Sequence, residues 1–146
     1  MTHKYQLLTS VFLFSPVFLT STSAQIDENA KVYVEFENIE DEVNVNGRDA
    51  CGMFEDYINK YTHLNVVRSK EESNITFVLS VYEKNMGNRR GKIDVYDSKS
   101  GELIYMTGWV KGMMLVFYGY SGTKHAIARA FIDHFLEEYP DLKKRS

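Results

Sequence analysis

The sequence predicts an α+β domain: a mixed, mainly antiparallel sheet of about five strands with two helices on one face, in the order β-α-β-β-β-β-α. Three observations carry that expectation. Residues 31–39 alternate with a two-residue period, two later stretches repeat with a helical period, and Ile75-Thr76-Phe77-Val78-Leu79-Ser80-Val81-Tyr82 is apolar at nearly every position.

In residues 31–39, Val32, Val34 and Phe36 fall on one side and Tyr33, Glu35 and Glu37 on the other, the pattern of a half-buried strand. After a turn-rich bridge at 44–48 the rhythm changes. Ala50, Met53, Phe54, Tyr57, Ile58 and Tyr61 share one stripe of a helix over 49–62, with Asp49 as N-cap and Glu55 and Asp56 toward its positive end. Leu64-Asn65-Val66-Val67 reads as a short strand, and the apolar run 75–82 as a central strand covered on both faces. Residues 84–91, with Asn85, Gly87, Asn88 and Gly91, read as a hairpin loop tipped by Arg89 and Arg90, leading into a strand at 92–96. Asp97-Ser98-Lys99-Ser100-Gly101 is a second such loop, returning as one strand over 102–110. Ser121 or Thr123 caps a last helix, whose stripe is Ala128, Phe131, Ile132, Phe135 and Tyr139 and which stops near Pro140.

The first 24 residues read as a secretory signal. Lys4 supplies the charged start, residues 7–14 and 17–19 the apolar stretch, and Thr20-Ser21-Thr22-Ser23-Ala24 a cleavage region, with Gln25 as the new terminus. Pro16 and the Ser/Thr residues argue against the alternative, an uncleaved membrane anchor, which needs ~20 mostly apolar residues. A junction of Ala24 with Gln25 resembles signal peptides of Bacteroidetes-type bacteria, which implies a periplasmic or secreted protein. The expected organisation is a signal over 1–24, one domain over 25–142 and a basic disordered tail over 143–146.

Without Lys4 the chain holds 16 bases against 20 acids, net −4, which excludes general nucleic-acid binding because phosphate neutralisation needs a basic field. Residues 25–56 hold ten acids against Lys31 and Arg48, whereas 57–146 hold 14 bases against ten acids. Either the two halves offset each other side by side, or the first presents an acidic edge to a basic partner. The lone cysteine, Cys51, excludes an internal disulfide and is not placed to carry a lipid at the cleavage site.

The strands and the hairpin spelled Ile93-Asp94-Val95-Tyr96-Asp97-Ser98-Lys99-Ser100-Gly101-Glu102-Leu103-Ile104-Tyr105 resemble small bacterial envelope domains, namely the amino-terminal domain of the Tol-Pal propeller protein and the curli-secretion lipoprotein. That resemblance spans about residues 31–139 and implies a protein-binding role in the envelope.

Few residues point to chemistry. Gly119-Tyr120-Ser121-Gly122 is one residue short of a nucleophile elbow, and His125 follows without an orienting carboxylate. His125 and His134 are nine residues apart, about 900° of helix, and so face opposite ways; no metal and no cofactor is assigned. Cys51 has Phe54 and Ile58 at i+3 and i+7, which points its thiol inward rather than toward an intermolecular disulfide. Asn74-Ile75-Thr76 fits a glycosylation pattern relevant only to a eukaryotic route. The segment 113–118 is strongly apolar and lies between glycines. It is either a buried strand or an exposed loop whose Met113, Met114, Val116, Phe117 and Tyr118, with Tyr120, form a partner-binding patch hinged at Gly112 and Gly119.

The expected function is therefore a non-enzymatic, exported protein-binding module of the bacterial envelope, an assembly or accessory subunit with a protein partner, no nucleic acid and no membrane anchor after cleavage. The alternatives are a small serine hydrolase using Ser121 and His125, and a periplasmic immunity or inhibitor protein using the acidic strand around Glu35 and Glu37.

Overall fold

Alternation along the first strand divides the domain into a covered and an open layer. A computed structural model describes residues 24–38, 47–84, 88–112 and 122–145. Strand β1 (Lys31–Asn38) buries Val32 and Val34, and helix α1 (Gly47–Tyr61) lies over them with Ala50, Phe54 and Ile58 inward. The helix starts two residues before Asp49, so that residue supplies an acid in the first turn rather than the expected N-cap. Beyond α1 the chain returns through β2 (Asn65–Val66) and a single 3₁₀ turn at Lys70–Glu72 to β3 (Ile75–Lys84). Both β2 and β3 run parallel to β1, one on each side of it.

Strands β4 (Asn88–Asp97) and β5 (Leu103–Met106) continue antiparallel, and β6 (Val110–Lys111) pairs with β4 on the same edge as β5. The sheet order is β2-β1-β3-β4-β5, mixed and α+β as expected, with six strands in place of about five. Two local expectations change. Asn88 to Gly91 belong to β4, where Arg89 and Arg90 pair with Glu83 and Tyr82, so the arginines stand in the ladder and not at a loop tip. The single strand expected over 102–110 is divided at Gly108, whose φ of +70° breaks the extended run.

The second helical layer begins with α2 (Gly122–Arg129), passes through a π-helical stretch (Ala130–Phe135) and ends in one turn, α3 (Leu136–Glu138). Its buried residues come in pairs: Ala126 and Ile127, Ala130 and Phe131, then Phe135 and Leu136. The last step is five residues, and the wider turn keeps both late side chains on the sheet side, where a regular helix would have rotated them away. Ala128, expected on the stripe, is only half-buried.

Between the layers Phe54, Phe77, Phe135 and Phe131 close a ring of aromatic contacts with centroids 5.0 to 5.6 Å apart, all four fully buried. Gly91 and Gly112 let α2 approach the sheet. A Cβ at Gly91 would lie 3.0 Å from Ile127 Cδ1, and one at Gly112 would overlap the Gly122 carbonyl oxygen. Where a disordered tail was expected, Lys143 bridges Thr62 and the Lys144 amide donates to the Tyr61 carbonyl at 2.8 Å, tying the chain end to α1.

Candidate functional site

Both helices lie on the face that carries Phe77, Leu79, Val81, Ile93 and Val95, and among the described residues no helix lies on the opposite face of the sheet. Because the register is continuous, that face resolves into rows running from β1 across to the β5–β6 edge. Tyr33, Thr76, Tyr96 and Leu103 form the first row, and Glu35, Val78, Asp94 and Met106 the second. Glu37, Ser80 and Lys92 form the third, and Tyr82, Arg90 and Lys111 the fourth.

Charge on this face is sorted by strand. Glu35 and Glu37 come from β1, whereas Arg90, Lys92 and Lys111 come from β4 and β6. Lys70 Nζ reaches Glu35 at 3.1 Å, and Lys92 Nζ reaches the nearly buried Asp94 carboxylate at 2.6 Å. Lys92 also lies 5.4 Å from the centre of the Trp109 ring, and Trp109 meets Tyr82 edge to face at 4.6 Å. Ser80 Oγ and Asp94 Oδ1 are buried with no hydrogen-bond partner among the described residues.

Toward the edge the face turns apolar. Leu103, Met106 and Trp109 are 41, 53 and 39 % exposed, which is unusual for side chains of this size. A bulge explains how Leu103 and Met106, three residues apart, face the same way: Ile104 is the extra residue between the pairs Val95 with Tyr105 and Tyr96 with Leu103. Tyr105 consequently points inward, 6.0 Å from Phe135 and 5.7 Å from Tyr139, and burial, followed by the nearby Glu138, raises its phenol pKa.

At the first-row end, the loop from Asp97 to Gly101 is built on one carboxylate. Asp97 Oδ1 accepts from the Lys99 and Ser100 amides at 3.0 and 2.8 Å and from Ser100 Oγ at 3.1 Å, and these bonds hold its pKa below the usual carboxylate value. Three hydroxyls then form a chain: Ser73 Oγ donates to the Lys70 carbonyl, so with one proton each, Ser98 must donate to Ser73 at 2.6 Å and Thr76 to Ser98 at 2.8 Å. Of these three, Ser98 lines an open cleft of about 490 Å³ together with Glu35, Lys70 and Tyr96.

The partner-binding patch expected at Met113, Met114, Val116, Phe117, Tyr118 and Tyr120 lies outside the described residues, as does Ser121. His125 is half-buried on α2, and His134 and Glu138 are exposed at the helix end. Cys51 is half-buried against the core, where burial, followed by Glu55 and Glu35, pushes its thiol up to about 11. Asn74 Oδ1 accepts the Lys31 amide at 3.0 Å, a clamp between β1 and β3. Among the described residues no three His, Cys, Asp or Glu side chains converge on a metal-binding geometry, and no helix is long and apolar enough to cross a membrane. The sequence reading missed Leu103, Met106 and Trp109; Gly108 was the one available signal that the strand around them breaks.

The chain is similar in structure to the LpoB C-terminal domain from Salmonella enterica, with TM-score 0.50, 8 % identity, and coverage of 63 % of this chain and 88 % of that one. It is also similar to the PelC dodecamer from Paraburkholderia phytofirmans, with TM-score 0.53, 14 % identity, and coverage of 76 and 91 %. These likenesses are of fold. No protein-family model and no curated protein matches the sequence. The resemblance drawn from the hairpin thus holds at the level of a small α+β fold shared with bacterial proteins, and not for the Tol-Pal or curli proteins in particular.

Proposed function

We propose that this chain is an exported, non-enzymatic protein-binding module of the bacterial envelope. The observation that carries the reading is a sheet face that carries no helix among the described residues and ends on β5, the edge strand of the described sheet, with Leu103, Met106 and Trp109 exposed. An unpaired edge offers backbone donors and acceptors to a second chain, and exposed apolar side chains beside it supply the area that makes such pairing specific. The signal-like residues 1–24 support export, and the LpoB domain and the dodecameric PelC supply bacterial precedents for the fold. The segment 113–120 belongs to the same reading as a second contact surface. The residues that bracket it, Gly112 and Gly122, touch each other.

Site-specific photo-crosslinking in living cells tests the reading. Probes at Met106 and Trp109 are expected to give discrete protein adducts, while probes at Asp56 and Glu137, exposed on the helical side, give none. Equal labelling at all four positions, or none at any, overturns it.

A further inference from the structure

The open face carries a charge pattern that names its occupant. Arg90 and Lys111 stand directly opposite each other across the β4–β6 pairing, an arrangement that repels. Among the described residues neither has a carboxylate within ion-pair reach. Two strands away, Glu37 is exposed on β1 and also stands outside every ion pair of the described residues. Unbalanced cations and an unbalanced acid thus share one surface, separated by β3.

We propose that this face binds a second copy of the chain, sheet against sheet, about a two-fold axis lying along β3. Resting on the protein-binding reading above, this names the partner. Such an axis keeps the strand direction and places β1 of one copy over β4 of the other, so the row of Glu37 meets the row of Lys92, flanked by Arg90 and Lys111. An axis across the strands would instead set β1 on β1 and leave Glu37 facing acid; along β3 the acids that share a row, Glu35 and Asp94, are each already paired with a lysine, Lys70 and Lys92. The two-fold also seats the exposed Leu103, Met106 and Trp109 of each copy against the β1–β2 side of its mate. Four strands at ~4.8 Å spacing and four rows ~6.8 Å apart cover roughly 500 Å² per partner, at the small end for a specific interface.

The test is sedimentation equilibrium on the exported protein purified from cells making the full chain. A dimer is expected at low salt, weakening at least about tenfold near 0.5 M salt because exposed ion pairs are screened. Glu37→Lys alone, and Arg90→Glu with Lys111→Glu, are each expected to be monomeric while keeping the wild-type thermal melt. An equimolar mixture of the two is expected to restore a dimer, since position 37 of each copy then carries the charge opposite to that of positions 90 and 111 of its mate.

A monomeric wild-type protein overturns the inference, as does a dimer unaffected by either reversal or a mixture that fails to associate. A monomer that still gives foreign-protein adducts at Met106 and Trp109 overturns the inference and leaves the broader reading standing. A monomer that binds anionic vesicles through Arg90 and Lys111 overturns both. Adducts of the chain with itself, together with rescue in the mixture, establish the two at once.

Discussion

Phe54 of α1 and Phe131 of the C-terminal helical layer meet edge to face, ring centroids 5.0 Å apart at 79°, with neither ring exposed. This contact joins two helices brought together from distant parts of the chain, and each ring also touches a third aromatic, Phe77 or Phe135. Replacing Phe131 by Ala should therefore remove packing and leave a cavity, at a cost of about 3 to 5 kcal/mol. Urea unfolding followed by circular dichroism measures it; a loss under ~1 kcal/mol would mean the ring of phenylalanines does not hold the layers together.

Two glycines should respond in opposite directions to the same change. Gly112→Ala sets a methyl against the Gly122 carbonyl and Ala126, and should destabilise by about 1 to 3 kcal/mol. Gly52 sits exposed inside α1 with open space around it, so Gly52→Ala should stabilise by about 0.5 to 1 kcal/mol. Thermal melts of both variants check the pair.

Cys51 should be a slow nucleophile. With its thiol pushed up to about 11, it is protonated at neutral pH, and alkylation by iodoacetamide should run well below the rate of a free thiol at pH 8 and accelerate as pH approaches 11. The raised value means the folded protein holds this proton more tightly than the unfolded chain. Its contribution to stability is present below the ordinary thiol value and is lost as pH climbs toward 11.

Asp97 should act in the opposite sense. Hydrogen bonds from Ser100 and Lys99 lower its pKa, so the stability it contributes is present above the ordinary carboxylate value and is lost as pH falls through the lower, folded one. Asp97→Ala should lower the melting temperature at pH 7, and the difference from wild type should close as the solution is acidified into that range. A difference that is constant with pH would mean the carboxylate is not what holds the loop.

The adducts of a photo-probe at Met106 should disappear on Trp109→Asp, and those of a probe at Trp109 on Met106→Asp, without change in the melt, because both side chains lie on the surface. Retained adducts would move the contact elsewhere, with the segment 113–120 next to be probed.

Much of the fold was legible because burial imposes a period on the residues that undergo it. Val32, Val34, Phe54, Ile58, Phe131 and Phe135 were all marked by spacing and all lie in the core. The aspartate-to-glycine loop was legible too, since Asp97 and Gly101 have the side-chain oxygen and the positive φ that such a turn needs. The patch at Leu103, Met106 and Trp109 was hidden because a bulge changes which face a residue occupies, and a bulge leaves no mark in a two-residue period.

By itself the sequence determined the class of the domain, its helical stripes, the inward direction of Cys51 and the acidic bias of its first third, all consequences of local periodicity and composition. Only the tertiary structure decided that Gly91 and Gly112 set how near α2 comes, and that acids and cations are sorted onto separate strands of one sheet face. Those are outcomes of strand order and register, which join residues tens of positions apart, and a one-residue shift in pairing would have turned every one of them to the other side of the sheet.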